Sequence, residues 1–171
     1  MKITKRILCL ALSVMMALGC MSITAFADDA ASTTKDNSGA IKFSDVGDSE
    51  IYTDAVKTLN LMGVINGYPD GTFKPNDNVT RAEFTAMLMR TLKLGSIGST
   101  SAAELPFSDV DDNNSDINWA IPNINTAYAR GVINGYEDGT FRPSANVAYE
   151  EAVKMIVCTL GYGANVDVST T

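Results

Sequence analysis

Residues 63–84 read GVINGYPDGTFKPNDNVTRAEF and residues 131–152 read GVINGYEDGTFRPSANVAYEEA, a match at 14 of 22 positions in one register 68 residues apart. One supersecondary unit therefore occurs twice. Gly63 follows the apolar helical series Val56, Leu59, Met62, and stands where a helix end needs a residue tolerant of left-handed φ. Tyr68-Pro69-Asp70-Gly71 carries Pro second and Gly fourth, the pattern of a type I turn, after which Phe73 is expected to fold inward. Thr80-Arg81-Ala82-Glu83 has capping-box spacing and opens a second helical series, Phe84, Met87, Leu88, Leu92. The unit is helix, glycine-bearing loop, helix, with the loop expected beside the second helix's N-terminus.

Upstream, Lys2, Lys5 and Arg6 precede an apolar run from Ile7 to Leu18, and Ala25-Phe26-Ala27 supplies a small-x-small cleavage pattern. Residues 1–27 read as a secretory signal peptide, its apolar run too short for a stable membrane span. Its removal takes three basic and no acidic residues, leaving 10 basic against 20 acidic and a net charge near −10. Such a balance argues against nucleic acid as a partner. Cys9 and Cys20 leave with the signal, and Cys158 alone cannot form an internal disulfide. Its place among Val153, Ile156, Val157 and Leu160 favours a buried structural thiol.

Residues 28–42 lack periodicity and read as a flexible leader. Phe43-Ser44-Asp45-Val46 opens repeat one (43–94), with Ser44 or Asp45 available to cap the first helix. A Gly/Ser/Ala linker (95–106) follows, and Phe107-Ser108-Asp109-Val110 opens repeat two (107–162) in the same way. Phe107 to Trp119 is four residues longer than Phe43 to Ile51, which places an insertion within Asp111–Asn118. Residues 163–171 form a tail without core pattern.

The absence of His removes Ser-His-Asp, Cys-His and His-based zinc sites. The adjacent pairs Asp111-Asp112 and Glu150-Glu151 point apart and fit a solvated surface better than a glycosidase pair. The loops from Asn66 and Asn134 overlap an EF-hand start, but Tyr68 and Tyr136 stand at the third position, and Asp77 and Ala145 at the twelfth, where oxygen ligands and Glu are needed. No metal or cofactor is expected.

Arg81 opposes the helix macrodipole in the first turn. Either it forms an exposed carboxylate- or phosphate-binding corner with free helix N–H groups and nearby glycine backbone, or it pairs with an Asp or Glu. Trp119 is either core or a groove-edge ring that stacks on a sugar.

The ordered set FSDV, GVINGYPDGTFKP and VTRAEF resembles the S-layer homology (SLH) repeat of bacterial cell-surface proteins. The resemblance implies an all-α fold of repeated helix-loop-helix units forming part of a pseudo-threefold helical bundle. It also implies a non-enzymatic module, secreted to the bacterial cell wall or S-layer, which anchors a protein by binding secondary cell-wall polysaccharide, often pyruvylated. Thr80, Arg81 and Glu83 match the family's ligand-associated Thr-Arg-Ala-Glu motif and Trp119 matches its aromatic position; with Gly67 and Gly71 of the repeat-one loop they are the polysaccharide-binding residues the resemblance implies. In repeat two the motif reads Ala148-Tyr149-Glu150-Glu151, without the Thr or the Arg. The rival readings are S-layer self-assembly and the anchor of a longer cell-surface hydrolase. Self-association, or a third repeat from a longer chain, is expected to complete the bundle.

Overall fold

A computed structural model describes residues 39–95, 98 and 100–162. The signal peptide, most of the leader and the 163–171 tail lie outside them. The described chain is helical: α1 Thr53–Leu61, α2 Arg81–Thr91, α3 Ile121–Ala129 after a 3₁₀ turn at Asn118–Ala120, and α4 Tyr149–Val157 running into a wider turn at Cys158–Tyr162. No strand is present among the described residues, and none of their helices is long and apolar enough to cross a membrane. Two compact units divide the chain, Met1–Asp77 and Asn78–Thr171, so the division falls inside repeat one.

In the first unit, α1 turns Val56 and Leu59 inward and stops at Gly63 (φ +70°), whose left-handed backbone lets Val64 N–H close on the Leu59 carbonyl at 2.9 Å. Met62, expected on the apolar face, is 43% exposed because it sits at the C-cap, where the helical register ends. The Tyr68–Gly71 turn closes through Gly71 N–H to the Tyr68 carbonyl at 3.0 Å, and Phe73 packs on Phe43 at 5.7 Å between ring centroids. Gly67 (φ +72°) is required twice over, since a Cβ there would lie 2.2 Å from the Phe43 ring.

Neither Ser44 nor Asp45 caps α1. The N-cap is Tyr52, without a side-chain bond, while the Asp45 carboxylate accepts the Phe73 and Lys74 N–H groups at 2.7 and 2.6 Å. Asp109 does the same in repeat two, accepting from Phe141 and Arg142 at 2.8 and 2.7 Å. Lys74 and Arg142 both hold positive φ, +54° and +58°. Left-handed backbone costs a non-glycine residue about 1–2 kcal/mol, and the carboxylate on two successive N–H groups offsets it. The FSDV motif is therefore a strut that shapes the loop.

In the second unit, α2 packs along α3, burying Phe84, Leu88 and Met89 on one side and Ile121, Ile124 and Ala127 on the other. Phe141 is fully buried and Phe107 meets both it and Tyr128, at 5.5 and 5.4 Å. The four-residue insertion is used structurally: Asp112 accepts from Ser101 Oγ at 2.8 Å and Ala102 N–H at 2.5 Å, pinning the linker, and Ile117 is buried. Cys158 is half-buried.

The capping box of α2 forms as expected, Glu83 N–H donating to Thr80 Oγ1 at 3.2 Å and Thr80 N–H to Glu83 Oε2 at 2.8 Å. At α4 only the second half survives, Ala148 N–H donating to Glu151 Oε2 at 2.9 Å. The two N-caps share a backbone conformation (φ, ψ −76°, 161° at Thr80 and −75°, 159° at Ala148). Ala148→Thr should therefore raise stability by about 1 kcal/mol, read as a higher urea midpoint. In the opposite direction, Asp109→Ala should lower it by about 1.5–3 kcal/mol, the range for hydrogen bonds to a charged group, with Asp109→Asn intermediate in the same titration.

Candidate functional site

The N-terminus of α2 is built against the repeat-two loop. Arg81 N–H donates to the Ala145 carbonyl at 2.9 Å and Ala82 N–H to that of Pro143 at 3.0 Å, while a lone bridge pairs Thr80 with Asn146. The helix-end donors expected to be free are therefore used within the protein. Arg81 is 5% exposed. Its Nε donates to the Phe141 carbonyl at 2.8 Å, its Nη1 lies 3.2 Å from Glu151 Oε1, and its guanidinium lies 4.7 and 4.9 Å from the centroids of the Tyr136 and Phe141 rings. Of the two alternatives, the pairing of Arg81 with a carboxylate is the one observed, and its guanidinium is buried. Three loop carbonyls, two ring faces and a carboxylate surround the first turn and compensate a cation there.

Glu151 is shared three ways, accepting from Arg81, from the Tyr136 hydroxyl and from Ala148 N–H. Burial alone would raise its carboxyl pKa; the Tyr136 hydroxyl, the Ala148 N–H and Arg81 outweigh that and hold it below the ordinary value of 4.5. Tyr136 moves the other way, raised first by burial and then by its bond to Glu151. At the exposed edge, Arg142 stacks on Tyr136 at 4.0 Å and pairs with Asp138 at 2.8 Å. Thr140 and Arg142 together hold Asp138 down to about 2.

Thr80, Arg81 and Glu83 are brought together in this way. Trp119, in the same unit, is not core: it is 46% exposed, with Nε1 donating to the Asp116 carbonyl at 3.0 Å. Gly67 and Gly71 belong to the other unit, where they shape the repeat-one turn. Sequence reasoning missed Tyr136, Phe141 and Glu151 as the partners of Arg81. The available signal was Glu151, the one residue of the Thr-x-x-Glu box that repeat two keeps.

The family model described as the S-layer homology domain matches residues 42–85 and 106–153, more than half of the chain, and the chain belongs to this family. It is 37% identical over 125 residues to a cellulosome-anchoring protein of Acetivibrio thermocellus, covering 72% of this chain and 27% of that one. An endoglucanase of Bacillus sp. strain KSM-635 is 36% identical over 135 residues (79% and 13% covered), and a surface layer protein of Brevibacillus choshinensis 32% over 111 (65% and 10%). The chain thus spans about a quarter or less of the length of these relatives. No solved structure matches it. The location is the bacterial cell wall or surface layer.

Since Arg81 is buried and paired, Arg81→Ala should not leave the fold unchanged. The expected loss is about 3 kcal/mol, the lower end for breaking a buried ion pair, because Glu151 keeps two other donors. The lowered Glu151 pKa means the native state favours the ionised form, so its stabilisation is fully present above about pH 4.5 and is lost as pH falls through the lowered value. Glu151→Gln should reduce stability at neutral pH and flatten the acid limb of the stability curve, checked by urea titrations from neutral to acid pH.

Proposed function

We propose that the chain anchors a secreted protein non-covalently to the cell wall by binding secondary cell-wall polysaccharide. The observation that carries this reading is the match of the S-layer homology domain to both repeats, in a chain similar to a cellulosome-anchoring protein. The reading keeps the binding residues expected from the sequence, with roles drawn from the geometry. Trp119 offers an exposed apolar ring face for a sugar. Arg81 acts through the Tyr136, Phe141 and Glu151 wall it holds. Thr80 and Glu83 fix the helix end, and Gly67 and Gly71 give the repeat-one loop its shape. The repeats are read as part of a pseudo-threefold helical bundle, in keeping with the family and with the packing of α2 on α3.

Similarity to an endoglucanase supports a second, compatible reading, in which the anchored passenger is a hydrolase. Binding requires no cofactor in either case.

The test is co-sedimentation with purified cell walls before and after chemical removal of their polysaccharide. Binding should be lost with the polymer. Trp119→Ala should weaken it by about 1–3 kcal/mol, as for loss of a stacking aromatic anchor, with the circular dichroism spectrum unchanged. Arg81→Lys, which keeps the charge and loses the planar fork, should weaken it more than Arg142→Ala. Equal binding to stripped walls would overturn the reading.

A further inference from the structure

Arg81 and Arg142 each meet a carboxylate, Glu151 and Asp138. Arg90, in the last turn of α2, does not. Its side chain is half-buried, and among the described residues it makes no ion pair, side-chain hydrogen bond or ring contact. Burial lowers its pKa from the ordinary value, and no neighbouring anion opposes that shift. The helix dipole accounts for a cation in the last turn of a helix. It does not account for one that is desolvated without a counter-charge, in a chain with twice as many acidic as basic residues once residues 1–27 are removed.

A second unmatched polar group stands beside it. Asn123 of α3 is 3% exposed, and its Oδ1 accepts no hydrogen bond, an uncommon state for a buried oxygen. The two side chains flank Gly95, where a Cβ would lie 2.8 Å from Arg90 Cγ and 2.9 Å from Asn123 Oδ1. Gly95 does not hold positive φ, so it is this close approach and not the backbone that calls for glycine. The 3₁₀ turn Asn118–Ala120, which carries the exposed Trp119 ring four residues before Asn123, also lies against α2. Arg90 is nine residues beyond Arg81, about 14 Å along the helix axis. This end of α2 is therefore separate from the buried Arg81 cluster.

We propose that Arg90 and Asn123 form the subsite for an acidic sugar of the wall polymer, Arg90 donating to its carboxylate and Asn123 Oδ1 accepting from an adjacent hydroxyl. The chemistry of the ligand follows from the two groups. A guanidinium only donates, and its planar fork matches a carboxylate. A carbonyl oxygen only accepts, so the same ligand must carry an O–H, as a sugar does. The inference rests on the wall-polysaccharide reading and adds to it the charged group recognised and the residue that meets it. Arg81, already committed to Glu151, acts through the fold instead.

The experiment is isothermal titration of residues 28–171 with polysaccharide released from purified cell walls. A parallel titration uses the same polymer after a carbodiimide and ammonia have converted its carboxyl groups to amides. The parent should bind the native polymer at least about tenfold more tightly than the amidated one, as for one charge-assisted hydrogen bond. Arg90→Gln should lose a similar factor on the native polymer and nothing further on the amidated one, because both changes remove one contact. Arg90→Lys should recover part of the loss. Asn123→Asp, which gives Arg90 an internal carboxylate, should weaken binding of the native polymer alone. Thermal melts separate these effects from misfolding: removing an unpaired, half-buried charge in Arg90→Gln should leave the midpoint unchanged or raised. Equal affinity of the parent for both polymers, or an equal loss on both with Arg90→Gln, overturns the subsite and leaves wall binding standing. A parent that binds neither polymer overturns both.

Discussion

The buried guanidinium of Arg81 is the constraint on which the second unit depends. It stands in the first turn of α2, where the helix dipole disfavours a cation, yet it is 5% exposed. The cost is met locally, by the Phe141 carbonyl on Nε, the Glu151 carboxylate on Nη1 and two aromatic faces. Because those partners come from the loop and the second helix of repeat two, one side chain ties the end of repeat one to both parts of the next repeat. A lysine there could not reproduce the geometry, since a point charge cannot serve a carbonyl, a carboxylate and two ring faces at once.

That arrangement needs the loop to present its carbonyls in fixed directions, which is the work of Asp109. Its carboxylate holds two successive N–H groups and with them the left-handed Arg142. Phe107, from the same FSDV motif, packs on Phe141, so strut and hydrophobic plug reach the loop together. Repeat one carries the same pair, Asp45 and Phe43, against Phe73 and Lys74. The recurrence of the motif thus has a mechanical basis: each repeat opens with the clamp that shapes its own loop.

The divergence of repeat two can be read in the same terms. Where α2 carries Thr80 and Arg81, α4 carries Ala148 and Tyr149, and Tyr149 is exposed where Arg81 is buried. Glu151 alone is retained, and it does two jobs, closing half of the helix cap and accepting from Arg81 and Tyr136. The capping Thr and the Arg are thus absent where the helix start is exposed, while the residue that serves the preceding repeat remains.

Much of this was legible from residue order alone. The repeat, the helix stop at Gly63, the turn at Tyr68–Gly71 and the capping box at Thr80 were all readable, because each depends on φ preference or hydrogen bonds within a few residues of itself. The apolar series also located Val56, Leu59, Phe84 and Leu88 in the core. The partners of Arg81, the strut role of Asp45 and Asp109, and the exposure of Trp119 were decided only by tertiary structure. Asp45 meets Lys74 across 29 residues and Arg81 meets Phe141 across 60. Local spacing carries no information about such pairs, since their geometry exists only once the loop has closed on the helix that follows or precedes it.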